Sequence, residues 1–154
     1  PEITRRAVCL AEVIDQSRML VETRRKKLGV RLKVEAIPTD WQVLAEAQQL
    51  EQVFVNLLLN AFDAVETSED RAVRLSVIND EKHLRIVVAD SGDGLTAEVL
   101  AHLFEPFYTT KIGGQGLGLG LVISRMIAAE LGGNLEAANR PTGGAEFTVI
   151  LEKA

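Results

Sequence analysis

The chain has 154 residues, 47% hydrophobic and 25% charged, which is one domain's worth of sequence and too apolar for disorder. Its 17 basic and 22 acidic residues leave a net charge of −5, which argues against broad nucleic-acid binding but allows a small anion to be held locally. A bilayer-spanning run of about 18 apolar residues is absent, and Cys9, His83 and His102 are too few for an internal disulfide or a cysteine- or histidine-rich metal cluster.

Apolar residues at helical spacing (Val8, Ala11, Ile14, Leu20, Val21, Leu28) predict a first helix over about 5–28, stopped by Gly29. Alternation predicts a strand over 30–34, and the Pro38-Thr39-Asp40 turn leads into a short strand over 41–44. A second helix is expected over about 46–65. Strands over 73–78 and 84–89 follow, joined by a polar hairpin. After Asp90 come glycine clusters at 92–94 and 113–120, with a short helix near 96–103 between them. A helix over about 118–131 stops at Gly132-Gly133, and strands over 134–138 and 146–151 finish the chain. This order predicts an α+β fold: a two-layer sandwich with a mixed, mostly antiparallel sheet of about five strands and about three helices on one face. The regular alternation that a doubly wound parallel sheet needs is missing.

Three features carry chemistry. On the second helix Asn56, Asn60 and Asp63 are spaced i, i+4, i+7 and share one face, while Val53, Leu57, Leu58 and Ala61 form an apolar one. These amides are either core groups bonded to neighbouring backbone or hard oxygen ligands of the kind Mg²⁺ prefers. Next, Asp90 at a strand end accepts hydrogen bonds and donates none, so it can read an exocyclic amino group such as adenine's. Gly92 and Gly94 let backbone approach a flat ring; an ordinary acidic turn is the other reading. The third feature, Gly113-Gly114-Gln115-Gly116-Leu117-Gly118-Leu119-Gly120, runs into a helix and can turn backbone N–H groups toward an anion. It has no Gly-Lys-Ser/Thr ending, so it is not a Walker A loop. Lys111 just upstream can supply a cation. One decoy arises: Gly92-Asp93-Gly94-Leu95-Thr96-Ala97 satisfies a dinucleotide fingerprint, but no acidic residue follows at the required distance and Asp90 would repel a pyrophosphate.

Together these residues resemble the catalytic, ATP-binding domain of bacterial sensor histidine kinases, in the superfamily shared with gyrase, Hsp90 and MutL. Residues 51–64 look like the N box and Asp90-Ser91-Gly92-Asp93-Gly94 like the first glycine box. Leu103-Phe104-Glu105-Pro106-Phe107-Tyr108-Thr109-Thr110-Lys111 resembles the F box, residues 114–121 the second glycine box, and Gly143-Gly144-Ala145-Glu146-Phe147 the terminal glycine motif. The motifs stand in the family's order.

The resemblance implies a Bergerat-type ATP-binding fold over residues 1–154. A helical segment over 1–28 would follow dimerisation helices absent from this sequence, and an ATP lid would span 95–114. It implies Asn60 on Mg²⁺, with Asn56 nearby on phosphate or solvent, Asp90 on the adenine amino group, and Gly92 and Gly94 along the base. Lys111, Gly114, Gly116, Leu117, Gly118 and Leu119 would contact ATP, and Phe104 and Phe107 would anchor the lid. Two positions depart from the pattern. Asp63 stands where a basic residue is common and would orient Mg²⁺-bound water; Ala145 stands where threonine is common and lacks its hydroxyl. Asn56 occupies the place of the ATPase members' glutamate base, and an amide cannot deprotonate water, so a kinase is expected rather than a rapid hydrolase.

Neither His83 nor His102 sits in an acceptor-histidine context, so the acceptor belongs to sequence outside this chain. A start at Pro1 also leads us to expect a piece of a longer protein. The expected function is Mg-ATP binding and supply of the γ-phosphate to a histidine on that dimerisation domain, in two-component signalling. A downstream response regulator would be reached through the same domain. The expected setting is the cytoplasmic side of a membrane-anchored bacterial sensor, with no nucleic acid and no membrane contact by this domain, and the isolated piece is expected to be a monomer unable to phosphorylate itself. The Phe-Tyr-Thr-Thr-Lys and Gly-Leu repeats look most like C4-dicarboxylate and nitrogen sensors. The alternatives are a stand-alone serine kinase of the anti-sigma type, a dimer-clamping ATPase, and a nucleotide-binding module without catalysis.

Overall fold

The computed structural model of the chain describes residues 4–108 and 119–154. In chain order the elements are β1 (Arg6–Cys9), α1 (Leu10–Leu28), β2 (Arg31–Val34), β3 (Gln42–Ala45) and α2 (Ala47–Ala64). There follow β4 (Ala72–Asn79), β5 (His83–Asp90), α3 (Ala97–His102), α4 (Gly120–Glu130), β6 (Asn134–Asn139) and β7 (Ala145–Glu152). The main sheet has five strands in the order β2-β4-β5-β7-β6. Only β2 and β4 run parallel; the other pairs are antiparallel. The expected α+β architecture, with a mixed and mostly antiparallel sheet of five strands, is the one found.

Strand alternation separates the two faces of the sheet. On β5 Leu84, Ile86 and Val88 are buried, and on β7 Ala145, Phe147, Val149 and Leu151. Their register pairs Ile86 with Val149 and Val88 with Phe147, so the apolar side chains line up across strands on one face. Helices α2 and α4 pack on the sheet and α1 packs against α2. α2 is the centre of the core: Leu50, Phe54, Leu58 and Phe62 are wholly buried. The Glu46 side chain accepts from the N–H groups of Gln48 and Gln49 (3.3 and 2.7 Å), which caps α2 with a charge its N-terminal dipole favours.

One expectation is corrected. Residues 6–9 form a strand, where the helical spacing of Val8 with Ala11 and Ile14 placed them in the first helix. β1 pairs antiparallel with β3, matching Val8 to Val43, and the Leu10 N–H continues the connection to the Trp41 carbonyl at 3.1 Å. A partner strand more than thirty residues away therefore supplies the hydrogen bonds that a helix would have supplied locally. The strand expected at 41–44 accordingly lies in this two-stranded sheet. It is tied to the end of β7 by a bridge from Val43 to Lys153. Among the described residues the helices number four, and α1 ends as expected at Gly29, whose φ of 65° is left-handed.

Candidate functional site

β5 delivers Asp90 at its last position, and the turn between β6 and β7 closes over it. Asp90 is 3% exposed. Its Oδ1 accepts from the main-chain N–H groups of Gly92 (2.9 Å) and Ala145 (3.3 Å). Among the described residues Oδ2 has no hydrogen-bond partner. Burial pushes the Asp90 pKa up, and the two N–H groups and the nearby Arg140 guanidinium pull against that. Arg140 Nη1 also donates to the Asp90 carbonyl at 2.9 Å.

The backbone around Asp90 is packed too tightly for side chains at two glycines. A Cβ on Gly92 would stand 2.6 Å from the Ala64 carbonyl at the end of α2, and one on Gly144 would overlap the Asp90 carbonyl. Gly94 has φ 81°, and the next residue is clamped from the far side of the site. The Asn139 carboxamide accepts from the Leu95 N–H and donates to the Leu95 carbonyl, both at 2.7 Å. A side chain here supplies the paired bonds that a neighbouring strand would make.

Asn56, Asn60 and Asp63 lie half-buried along one face of α2. The stripe is tethered at both ends. Asn56 Nδ2 donates to Ser124 Oγ on α4 at 2.9 Å. Asp63 Oδ1 accepts from Arg24 Nη2 on α1 at 3.1 Å. Asn60 lies between them on the same face of the helix. Next to this, the two expected lid aromatics differ. Phe104 is half-buried against the core with the Arg125 guanidinium 4.4 Å from its ring centre. Phe107 is 71% exposed and has a φ of 65°.

Leu119 immediately precedes α4. Lys111, Gly114, Gly116, Leu117 and Gly118 lie outside the described residues, as does the part of the expected lid over 109–114. His102 Nδ1 lies 2.9 Å from Glu105 Oε1 on α3's trailing turn, and His83 opens β5. Four residues of the site are missed by reading motifs: Arg24, Ser124, Asn139 and Arg140. Ser124 had a visible signal, a hydroxyl on the apolar face of a helix. Arg140 had one too, standing just before the Pro141-Thr142-Gly143-Gly144 turn. Arg24 and Asn139 had none.

This geometry offers a buried aspartate with one carboxylate oxygen held by two main-chain N–H groups and the other without a hydrogen-bond partner among the described residues, packed beside glycine backbone. A stripe of amide and carboxylate oxygens lies alongside. A family model described as histidine kinase-, DNA gyrase B-, and HSP90-like ATPase matches residues 45–154. The chain belongs to that family. Its ATP-binding fold includes Asp90, the α2 stripe and α4 within the matched residues.

Among curated relatives, the C4-dicarboxylate transport sensor protein DctB of Rhizobium meliloti is 37% identical over 94% of this chain. Sensor protein FixL of Bradyrhizobium diazoefficiens is 34% identical over 99% of it, and sensor histidine kinase ZraS of Escherichia coli 32% over 94%. The chain spans 23% of that DctB and 30% of FixL and of ZraS, so it corresponds to a minor part of each. Among solved structures, the catalytic domain of histidine kinase ThkA superposes with a TM-score of 0.83 at 30% identity, covering 97% of this chain and 95% of that one. The mycobacterial sensor histidine kinase MprB superposes equally well, at 0.83 and 27% identity over 97% of both chains. Full-length ShkA in complex with AMPPNP aligns over all of this chain and 32% of its own, with a TM-score of 0.81 at 27% identity. Among the described residues no helix is long and apolar enough to cross a membrane.

Proposed function

We propose that this chain is the catalytic part of a sensor histidine kinase, binding Mg-ATP and supplying the γ-phosphate to a histidine on a dimerisation domain outside the sequence given. The observation that carries this reading is the hydrogen bonding of Asp90. Two N–H groups occupy Oδ1 and hold the carboxylate in place, which leaves Oδ2 to accept from the amino group of adenine. Guanine presents a carbonyl at the same place, and two acceptors facing one another in a buried site are strongly disfavoured. Gly92 and Gly94 line the ring.

The stripe on α2 fits Mg²⁺ in its donor set, since amide and carboxylate oxygens are hard ligands. Among the described residues no three His, Cys, Asp or Glu side chains gather to hold a metal. Asn60 would therefore hold the ion as one ligand, with phosphate oxygens and water completing its shell. When bound, the ion neutralises charge on the β- and γ-phosphates. Asn56, an amide where a carboxylate base would activate water, leaves the γ-phosphate for the protein acceptor. In the transfer the bond from the terminal phosphorus to the ADP oxygen breaks, and one forms to an imidazole nitrogen of the acceptor. Lys111, Gly114, Gly116, Leu117, Gly118 and Leu119 are assigned to the phosphates by motif, and Phe104 to the lid root. The response regulator would be met through the dimerisation domain, and the whole sensor would carry this part on the cytoplasmic side of a membrane. The chain alone would be a monomer.

Calorimetric titration with ATP and GTP, each with and without Mg²⁺, tests the site. Selective ATP binding that vanishes in Asp90→Ala is expected, and equal affinity for GTP would sink the adenine assignment. Mixing the chain with a histidine-bearing dimerisation domain and labelled ATP tests the transfer. Label on histidine is expected; label on serine would favour the serine-kinase reading, and no label despite tight binding a module without catalysis.

A further inference from the structure

Among the described residues three polar side chains are buried: Ser17, Asp90 and Ser124. Ser17 satisfies itself within its own helix, donating to the Val13 carbonyl at 2.8 Å. Ser124 is different. It is 1% exposed, on the side of α4 that also buries Ile127 and Ala128, and its hydroxyl accepts from Asn56 Nδ2 across 68 positions of sequence. One turn earlier on the same face, Gly120 comes so near that a Cβ there would stand 2.5 Å from Asn56 Oδ1 and 2.8 Å from Nδ2. The Asn56 carboxamide is thus seated between Gly120 and Ser124. A Cβ at the first position would have to push the Asn56 carboxamide aside, and the hydroxyl at the second gives that carboxamide its partner.

We infer that Ser124 is a positioning residue for the phosphate end of the nucleotide. By holding Asn56 it sets the register of the first turn of α4 against α2, one helical turn from Asn60. This rests on reading the α2 stripe as the Mg²⁺ and phosphate face. The physical reason is the cost of an orphaned amide. Without the hydroxyl, the half-buried Asn56 N–H loses its partner, and the amide must turn away or α4 must shift to let water in. A shift of α4 displaces its start relative to Asn60, and a turned amide no longer ties that first turn to α2. Asp90 is held by its own main-chain partners and is untouched.

The test is calorimetric titration of the chain with Mg-ATP and, separately, with Mg²⁺-free adenosine, on the wild type and on Ser124→Ala, Ser124→Cys and Ser124→Thr. Ser124→Ala is expected to weaken Mg-ATP about tenfold, the scale of one hydrogen bond, and to leave adenosine within about twofold. Ser124→Cys keeps the volume with a poor acceptor and should behave like alanine, whereas Ser124→Thr should recover most of the loss. Unchanged Mg-ATP affinity in Ser124→Ala overturns the inference. Equal weakening of both ligands together with a fall in Tm also overturns it, by making Ser124 a general strut between helices. A well-folded wild type that binds adenosine but gains nothing from Mg²⁺ and phosphates removes the underlying reading of the stripe, and the inference with it. That result is separable because it appears before any variant is made.

Discussion

At the Asp90 end of the site the carboxylate is held by main-chain N–H groups, whereas along α2 Asn56 and Asp63 are held by side chains on neighbouring helices. Gly92, Ala145 and the Gly144 backbone crowd Asp90 within the sheet and its last turn. Asn56 and Asp63 instead depend on Ser124 of α4 and Arg24 of α1. Backbone donors survive most side-chain substitutions, and sheet pairing holds them in place. Side-chain tethers can be cut one at a time, and the helices they join can slide. The adenine end should therefore act as a fixed receptor and the phosphate end as an adjustable one, with substitutions separating the two.

The largest effect is expected at Asp90 itself. Asp90→Asn keeps an oxygen for the Gly92 and Ala145 N–H groups but presents an amino group to adenine's own, so ATP affinity should fall by about a hundredfold or more. Stability should move the other way. The folded-state pKa of Asp90 is raised by burial, so the folded protein holds that proton more tightly than the unfolded chain does. Asp90 then contributes nothing against folding below the ordinary carboxylate value. Its cost grows as pH rises from there to the raised folded value, and is fully present above it. Asp90→Asn removes that cost. A Tm above wild type at neutral pH is expected, with the difference closing as pH falls toward the ordinary carboxylate range. A variant less stable than wild type at neutral pH would show that the two N–H groups outweigh the burial, and would break the picture of a strained receptor.

An intermediate effect is expected for Asn60→Ala, which should remove the part of ATP affinity that depends on Mg²⁺, about ten- to thirtyfold, while Mg²⁺-free adenosine binds as before. Loss of adenosine binding as well would mean that the two ends are not independent. Asn139→Ala should do less. It frees the Leu95 backbone from the paired bonds that hold the stretch after Gly94, and about a threefold loss is expected for adenosine and ATP alike, because the base side is affected. Faster amide exchange at Leu95 would be the structural counterpart. A loss confined to Mg-ATP would place this clamp at the wrong end.

The contrast between the ends also explains what was legible from sequence. Asp90 could be picked out because it ends a short apolar, β-branched run and Gly92 and Gly94 follow it closely. The α2 stripe stood out because i, i+4, i+7 polar positions contradict an otherwise apolar helix. The main strands were readable as short apolar, β-branched runs, Ile86-Val87-Val88 in β5 and Val149-Ile150-Leu151 in β7. Tethers were not legible, since nothing local marks Arg24 as a partner of Asp63 or Asn139 as a partner of Leu95. The strand at 6–9 was missed on the same ground, because its identity depends on β3. Ala145 shows the reverse. Its lack of a hydroxyl looked like a defect, yet its main-chain N–H reaches Asp90, and that bond needs no particular side chain.

The smallest effect is expected at the α1 tether. The Arg24 and Asp63 side chains are only partly buried, so their attraction is screened and offset by the entropy of fixing the long arginine side chain. A double-mutant cycle with Arg24→Ala and Asp63→Asn should give a coupling below about 1 kcal/mol, shrinking in high salt. The buried Ser124 tether should give a larger coupling with Asn56, nearly independent of salt, because it joins neutral groups out of water. If the Arg24 coupling instead persists in high salt and exceeds that of Ser124, α1 rather than α4 holds the stripe. The adjustable side of the site would then lie next to the N-terminal helix. That helix is continuous with β1, so a displacement arriving from the N-terminal side would reach Asp63 before it reached Asn56.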